Sequence, residues 1–211
     1  SAHALVALRR RIVYILDPNS RVVGRNHLAQ RIVRRKGVED RPGGQTAERK
    51  LASTGAEVAS VELPTVFDNA EETFRVISGV EGASALEDEL ANQFDVLNHW
   101  IKAGAEASHG WSDDDLQSAQ THAGQCRLAL GDILDQFDVL VTPSTVGEAP
   151  EDLVGVSDSS FNRIWTMMHG PCVTIPAYSG PTGMPIGVQV VGRPGDDANV
   201  IEIAGWITRH L

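Results

Sequence analysis

The sequence predicts an α/β fold, with helices layered on strands. Three observations carry this expectation. From residue 46 onward, short β-branched apolar runs alternate with stretches that repeat apolar residues at helical spacing. Glycine and proline punctuate the joints, as at Gly55, Pro143, Pro171 and Gly192. The 211 residues are 42% hydrophobic, enough for one core, yet no window approaches the ~18 consecutive apolar residues of a membrane span.

Taken in order, "TAERKLASTGAEVASVELP" reads as a helix capped by Thr46 and stopped by Gly55, then a strand carrying Val58, Val61 and Leu63. Asp68 is expected to cap a helix that runs to Ala85. The next stretch, "ALEDELANQFDVLNHWIKAG", puts Leu86, Leu90, Phe94, Leu97 and Ile101 on one stripe and predicts a second helix. A third begins at Ser112 and runs to about Phe137. Asp113, Asp114 and Asp115 fill its first turn, where the helix dipole favours negative charge. "DVLVTPS", "CVTIPAY" and "IGVQVVG" read as buried strands. The serines at 157, 159 and 160 read as caps of the helix that follows them. "DDANVIEIAGWITRHL" closes the chain as a helix capped by Asp196 or Asp197.

Charge divides the chain. Residues 1–50 carry 12 Lys and Arg against 4 Asp and Glu, whereas residues 51–211 carry 6 against 24. This sets residues 1–45 apart as a basic extension of unknown role, with 46–211 as the folded part. The extension could bind RNA or an acidic partner. A solvated arm is the simpler reading, because Tyr14 is its sole aromatic and it holds no recognisable nucleic-acid module. The acidic remainder argues against nucleic acid or an anionic membrane as its partner. Arg9, Arg10 and Arg11 split the first apolar run, against a secretory signal. Two widely spaced cysteines make no disulfide framework, and a cytoplasmic location is expected.

Few side chains suggest chemistry on their own. Cys172 lies three residues after His169, but at a strand onset it reads as a packed, buried cysteine rather than a nucleophile. No two histidines have metal-site spacing and no CxxC occurs, so no metal or cofactor is expected. There is no G-x-S-x-G elbow, and Gly43-Gly44 is followed by no Gly-Lys-Ser/Thr. "FNRIW" is more suggestive. An amide, a cation and two aromatics at a helix start make a plausible pocket wall.

The order "DVLVTPST" and then "FNRIWTMMHGPCVTIPAYSGPTGMPIGVQVVGRPGDD" resembles the C-terminal part of the amidase signature family. The matching positions are Thr142, Pro143, Asn162, Trp165, Thr166, Pro171, Pro176, Gly183, Pro185, Gly187, Gln189, Gly192 and Pro194. His169-Gly170-Pro171 stands where that pattern has Gly-x-Pro. The resemblance covers about residues 46–211. It implies part of a mixed sheet flanked by helices, with a helical insertion, and carboxamide hydrolysis without a cofactor. In that family a Ser, a second Ser in a cis peptide and a Lys do the chemistry. This chain has no Gly/Ser-rich run of that kind, and Lys36, Lys50 and Lys102 stand in no matching context. The resemblance thus implies no catalytic residue here. It implies a substrate-facing wall of Thr142, Thr145, Phe161, Asn162 and Trp165, with a small amide as the parent's substrate. A chain holding only walls is expected to be inactive and to self-associate. Part of the A-type subunit of a glutamyl-tRNA(Gln) amidotransferase, or a truncated or non-catalytic binding protein, are the alternatives.

Overall fold

The structure is a computed structural model and describes residues 11–14, 50–61, 63–145, 147–150 and 159–211. Its centre is a mixed five-stranded sheet. The strands are β1 (Arg11–Tyr14), β2 (Glu57–Ser60), β3 (Val139–Pro143), β4 (Cys172–Ser179) and β5 (Pro185–Val191), in the order β2-β1-β3-β5-β4. β1 pairs in parallel with β2 and β3, while β5 runs antiparallel to β3 and β4.

Side-chain alternation sorts the central strands into two layers. Leu140 and Val191 face one apolar cluster; Val139, Val141, Val188 and Val190 face the other. The first cluster is covered by α1 (Ala70–Ala85), α4 (Asp113–Leu134) and α5 (Ser160–Met168), which contribute Ala70, Cys126, Leu130, Trp165 and Met168. The second is covered by α6 (Asp197–Thr208) through Val200, Ile203 and Ile207, joined by Leu51. Two short helices, α2 (Glu87–Asn92) and α3 (His99–Ser108), form the insertion between α1 and α4, and α3 leans on α1.

Several expectations need correction. Arg11–Tyr14, inside the segment read as an extension, forms the strand between β2 and β3. A boundary at residue 45 therefore fails for these four residues, because the β-branched Ile12 and Val13 suit a strand whatever the charge of their neighbours. Residues 1–10 and 15–45, with the proposed Thr46 cap and Ser157, lie outside the described residues. The stripe from Leu86 to Ile101 is not one helix. It breaks into α2, a 3-10 turn at Phe94–Val96, and α3. The cause is Asn98, whose side-chain oxygen accepts from Trp100 N at 2.8 Å and restarts the helix. Asp68 is not a helix cap. It sits inside a 3-10 turn at Thr65–Asn69, and α1 begins at Ala70. Ser112 does cap α4, in a reciprocal box with Asp115. Its hydroxyl (2.6 Å) and then its N–H (2.8 Å) donate to that carboxylate and hold the Asp115 carboxyl below its ordinary range.

Candidate functional site

The site expected from the sequence lies where β3 ends. Register places Thr142 opposite Gln189, and Gln189 opposite Thr174, so the three side chains form a row on the face toward α5. Thr142 and Gln189 are buried and Thr174 is exposed. One step further along the same face, Ser144 donates its N–H to Gly187 O at 3.2 Å. Gly187 must be small: a Cβ there would lie 2.3 Å from Ser144 Oγ and 2.9 Å from Thr174 Cγ2. Thr142, Ser144 and Gln189 thus form a buried polar cluster packed closely around Gly187.

The start of α5 packs against one end of this cluster. Gln189 Nε2 donates to Phe161 O at 3.0 Å and to Pro143 O at 3.4 Å. Asn162 Nδ2 donates to Ser144 O at 3.2 Å. Two side-chain amides therefore tie the helix start to the end of β3, and the backbone carbonyls there are satisfied without water. Arg163 forms an ion pair with Glu71 and anchors α5 to α1. Opposite, Glu148 accepts from Thr182 N at 3.1 Å and pins the tip of the β4–β5 hairpin. Gly180 permits that approach, since its Cβ would fall 2.1 Å from Glu148 Oε2.

Of the expected wall residues, the fold gathers Thr142, Thr145, Phe161 and Asn162 around the end of β3. Trp165, expected beside them, is 1% exposed and lies in the core with Leu140 and Met168. Spacing explains this: Trp165 is one turn on from Phe161, and Ile164, Trp165 and Met168 form the buried stripe of α5. Gln189, Ser144 and Glu148 do not stand out in the sequence as site residues. The strict two-residue alternation of "GVQVV", with a polar residue amid valines, is the available signal for Gln189.

The surroundings of both cysteines disfavour the thiolate. Cys172 stands exposed on β4, not buried as expected, because β4 is the edge strand of the sheet. The packing around its sulfur nevertheless desolvates the thiol and pushes it up to about 11. His169 is engaged elsewhere, 3.2 Å from Arg127 Nη2. Its backbone ends α5 in the left-handed region, φ 59, which explains why glycine suits this place in the Gly-x-Pro pattern. Cys126 is fully buried, and burial pushes its thiol up to about 11. Among the described residues no His, Cys, Asp and Glu group could hold a metal ion, and no helix is long and apolar enough to cross a membrane.

Comparison with known proteins follows the same lines. The chain is 31% identical over 98 residues to the A-type subunit of the mitochondrial glutamyl-tRNA(Gln) amidotransferase of Mus musculus, covering 40% of this chain and 19% of that protein. It is 25% identical over 149 residues to the putative amidase AmiA2 of Mycobacterium tuberculosis, covering 62% and 30%. The chain thus spans less than a third of the length of these curated relatives. A solved amidase structure superposes with a TM-score of 0.73 at 22% identity, covering 96% of this chain and 46% of the other. An allophanate hydrolase from Kluyveromyces lactis superposes at 0.71 with 14% identity, covering 95% and 32%. The Amidase family description matches residues 39–201, most of the chain, and the chain belongs to that family.

Proposed function

We propose that this chain supplies one wall of the substrate site of an amidase signature hydrolase whose whole protein cleaves a carboxamide C–N bond to an acid plus ammonia or an amine. The observation that carries the reading is the polar cluster at the end of β3, tied to the start of α5 by Asn162 and Gln189. Thr142, Thr145, Phe161 and Asn162 converge there, a place where sheets of this kind bind ligands. The cluster offers hydroxyls and amides but no activated nucleophile beside a base. Amide hydrolysis needs both, together with donors aimed at the developing oxyanion. Those groups belong to the Gly/Ser-rich segment that this chain does not contain, and no cofactor substitutes for it in this reading. Trp165 acts on the wall by packing behind it. The chain functions in a reducing, cytoplasmic setting, which its free cysteines suit, and its uncovered β4 face promotes self-association.

The reading is tested with a panel of aliphatic and aromatic amides. The chain alone should turn over none of them, and mixing it with a polypeptide that carries the family's catalytic segment should restore hydrolysis. Turnover by the chain alone that survives repurification and disappears in Cys172→Ala would overturn the assignment. A role within an amidotransferase, as part of its A-type subunit, is the second reading. The higher identity to the Mus musculus protein favours it, and the longer alignment to AmiA2 favours an amidase.

A further inference from the structure

The sheet ends differently on its two sides. At one end β2 has 4 residues and carries the exposed Glu57. At the other end β4 has 8 residues, CVTIPAYS, and no charge. Edge strands are ordinarily kept short or charged, because their open backbone groups can pair with another strand. Among the described residues β4 has one neighbour in the sheet, β5.

The ladder shows which groups β4 leaves open. Gly192 N donates to Pro171 O at 3.0 Å, which makes these two a hydrogen-bonded pair. Alternation then turns the N–H and C=O of Val173 and Ile175 toward β5. Both groups of Cys172 and Thr174, and the C=O of Pro176, face outward. Pro176 fits this reading, since proline is tolerated where its missing N–H would point away from the sheet. Cys172, Thr174 and Pro176 are all exposed.

A second copy of the same strand satisfies this edge. With Val173 opposite Val173, Cys172 and Thr174 of each copy exchange both bonds with Thr174 and Cys172 of the other. Neighbouring registers do worse. Setting Thr174 opposite itself places Pro176, which cannot donate, against Cys172 and leaves a carbonyl unpaired. Setting Cys172 opposite itself carries Thr174 to Gly170, outside the strand, where a Cβ would fall 2.4 Å from Gly192 O. Charge points the same way. β4 offers a basic or acidic strand nothing to pair with, and its own copy brings no like charge to the seam, although the whole chain carries −10.

We propose that two copies of this chain join antiparallel through β4, about a two-fold axis at Val173, into one continuous sheet. The pairing sets Cys172 of the second copy next in the row Thr142–Gln189–Thr174. It rests on the self-association proposed above and gives it a register, while the amide reading stands or falls separately.

Sedimentation velocity of the full chain should show a monomer–dimer equilibrium that tightens as salt screens the net charge. Thr174→Pro removes an outward N–H, and Thr174→Lys puts a charge on the edge. Each should keep the thermal transition and raise the dimer Kd at least about tenfold. Thr174→Cys should form a disulfide-linked dimer with Cys172 of the second copy when diamide takes up the two thiol hydrogens, because the paired Cα atoms lie ~5.5 Å apart. Cys172→Ser/Thr174→Cys should not crosslink. A monomer at every concentration overturns the proposal. A dimer indifferent to both Thr174→Pro and Thr174→Lys also overturns it, and leaves self-association to another surface. Equal crosslinking with and without Cys172 would set Thr174 opposite itself and overturns the register.

Discussion

Single residues decide the geometry at the end of β3. Gly187 is held to zero size by Ser144 and Thr174. Gly187→Ala must displace one of them and should lower stability by roughly 1–3 kcal/mol in urea unfolding. An unchanged midpoint would show that the packing around Gly187 is looser than these contacts indicate. His169 makes the opposite case, a bulky residue where the backbone asks for glycine. His169→Gly loses an exposed contact to Arg127 but removes the left-handed penalty, and should gain roughly 0.5–1 kcal/mol. The two thiols are both raised, to about 11, mainly by desolvation. Thiolate is the reactive form, so at pH 8 iodoacetamide should modify both cysteines at least about tenfold more slowly than a free thiol of ordinary pKa. The rate should climb with pH toward that value. Rapid labelling of Cys172 at pH 8 would contradict the desolvated environment.

At the scale of elements, caps set where helices begin. The Ser112–Asp115 box starts α4, and the two bonds from Ser112 hold the Asp115 carboxyl low. A lowered folded-state pKa gives stability that is present above the unfolded carboxylate range and lost as pH falls through the folded value. Ser112→Ala should therefore depress the melting temperature at pH 7. The gap from the parent chain should close as pH drops below about 4. A gap that stays constant down to pH 2 would mean that the hydroxyl acts through the backbone N–H alone. Asn98 plays the same part for α3, where its side-chain oxygen accepts from Trp100 N and restarts the helix.

For the whole molecule, the important fact is the central place of β1. It joins β2 to β3 through parallel ladders on both sides. Val13→Pro removes a backbone donor and forces a ring into an interior strand, which sheets tolerate only at edges or bulges. Cooperative thermal unfolding should be lost or shifted down by several degrees. If Val13→Pro and the parent chain melt alike, β1 is dispensable, and the first 45 residues revert to the appendage that their charge suggested.

Much of this protein follows from its sequence by local rules. Short β-branched apolar runs bounded by glycine and proline mark β3, β4 and β5, and helical spacing marks α4 and α6. The Thr-Pro strand end, the Asn-x-x-Trp-Thr helix and the Gly-x-Gln strand point to the family without any knowledge of the fold. Local rules also place Ser112 correctly, because a cap acts within one turn. Other features depend on distant partners. The basic composition of residues 1–45 conceals β1, since strand pairing is chosen by neighbours more than 40 residues away. Trp165 and Phe161 look alike in "FNRIW" and share one side of α5, and only their position along it separates them: Phe161 sits in the first turn beside the end of β3, Trp165 one turn deeper in the core. Cys172 has the sequence of a buried strand but the position of an edge, and burial is a property of what packs against a strand. Sequence alone determined the chemistry available along the chain. Tertiary structure decided which groups meet, because contact and desolvation are set by the packing of distant segments.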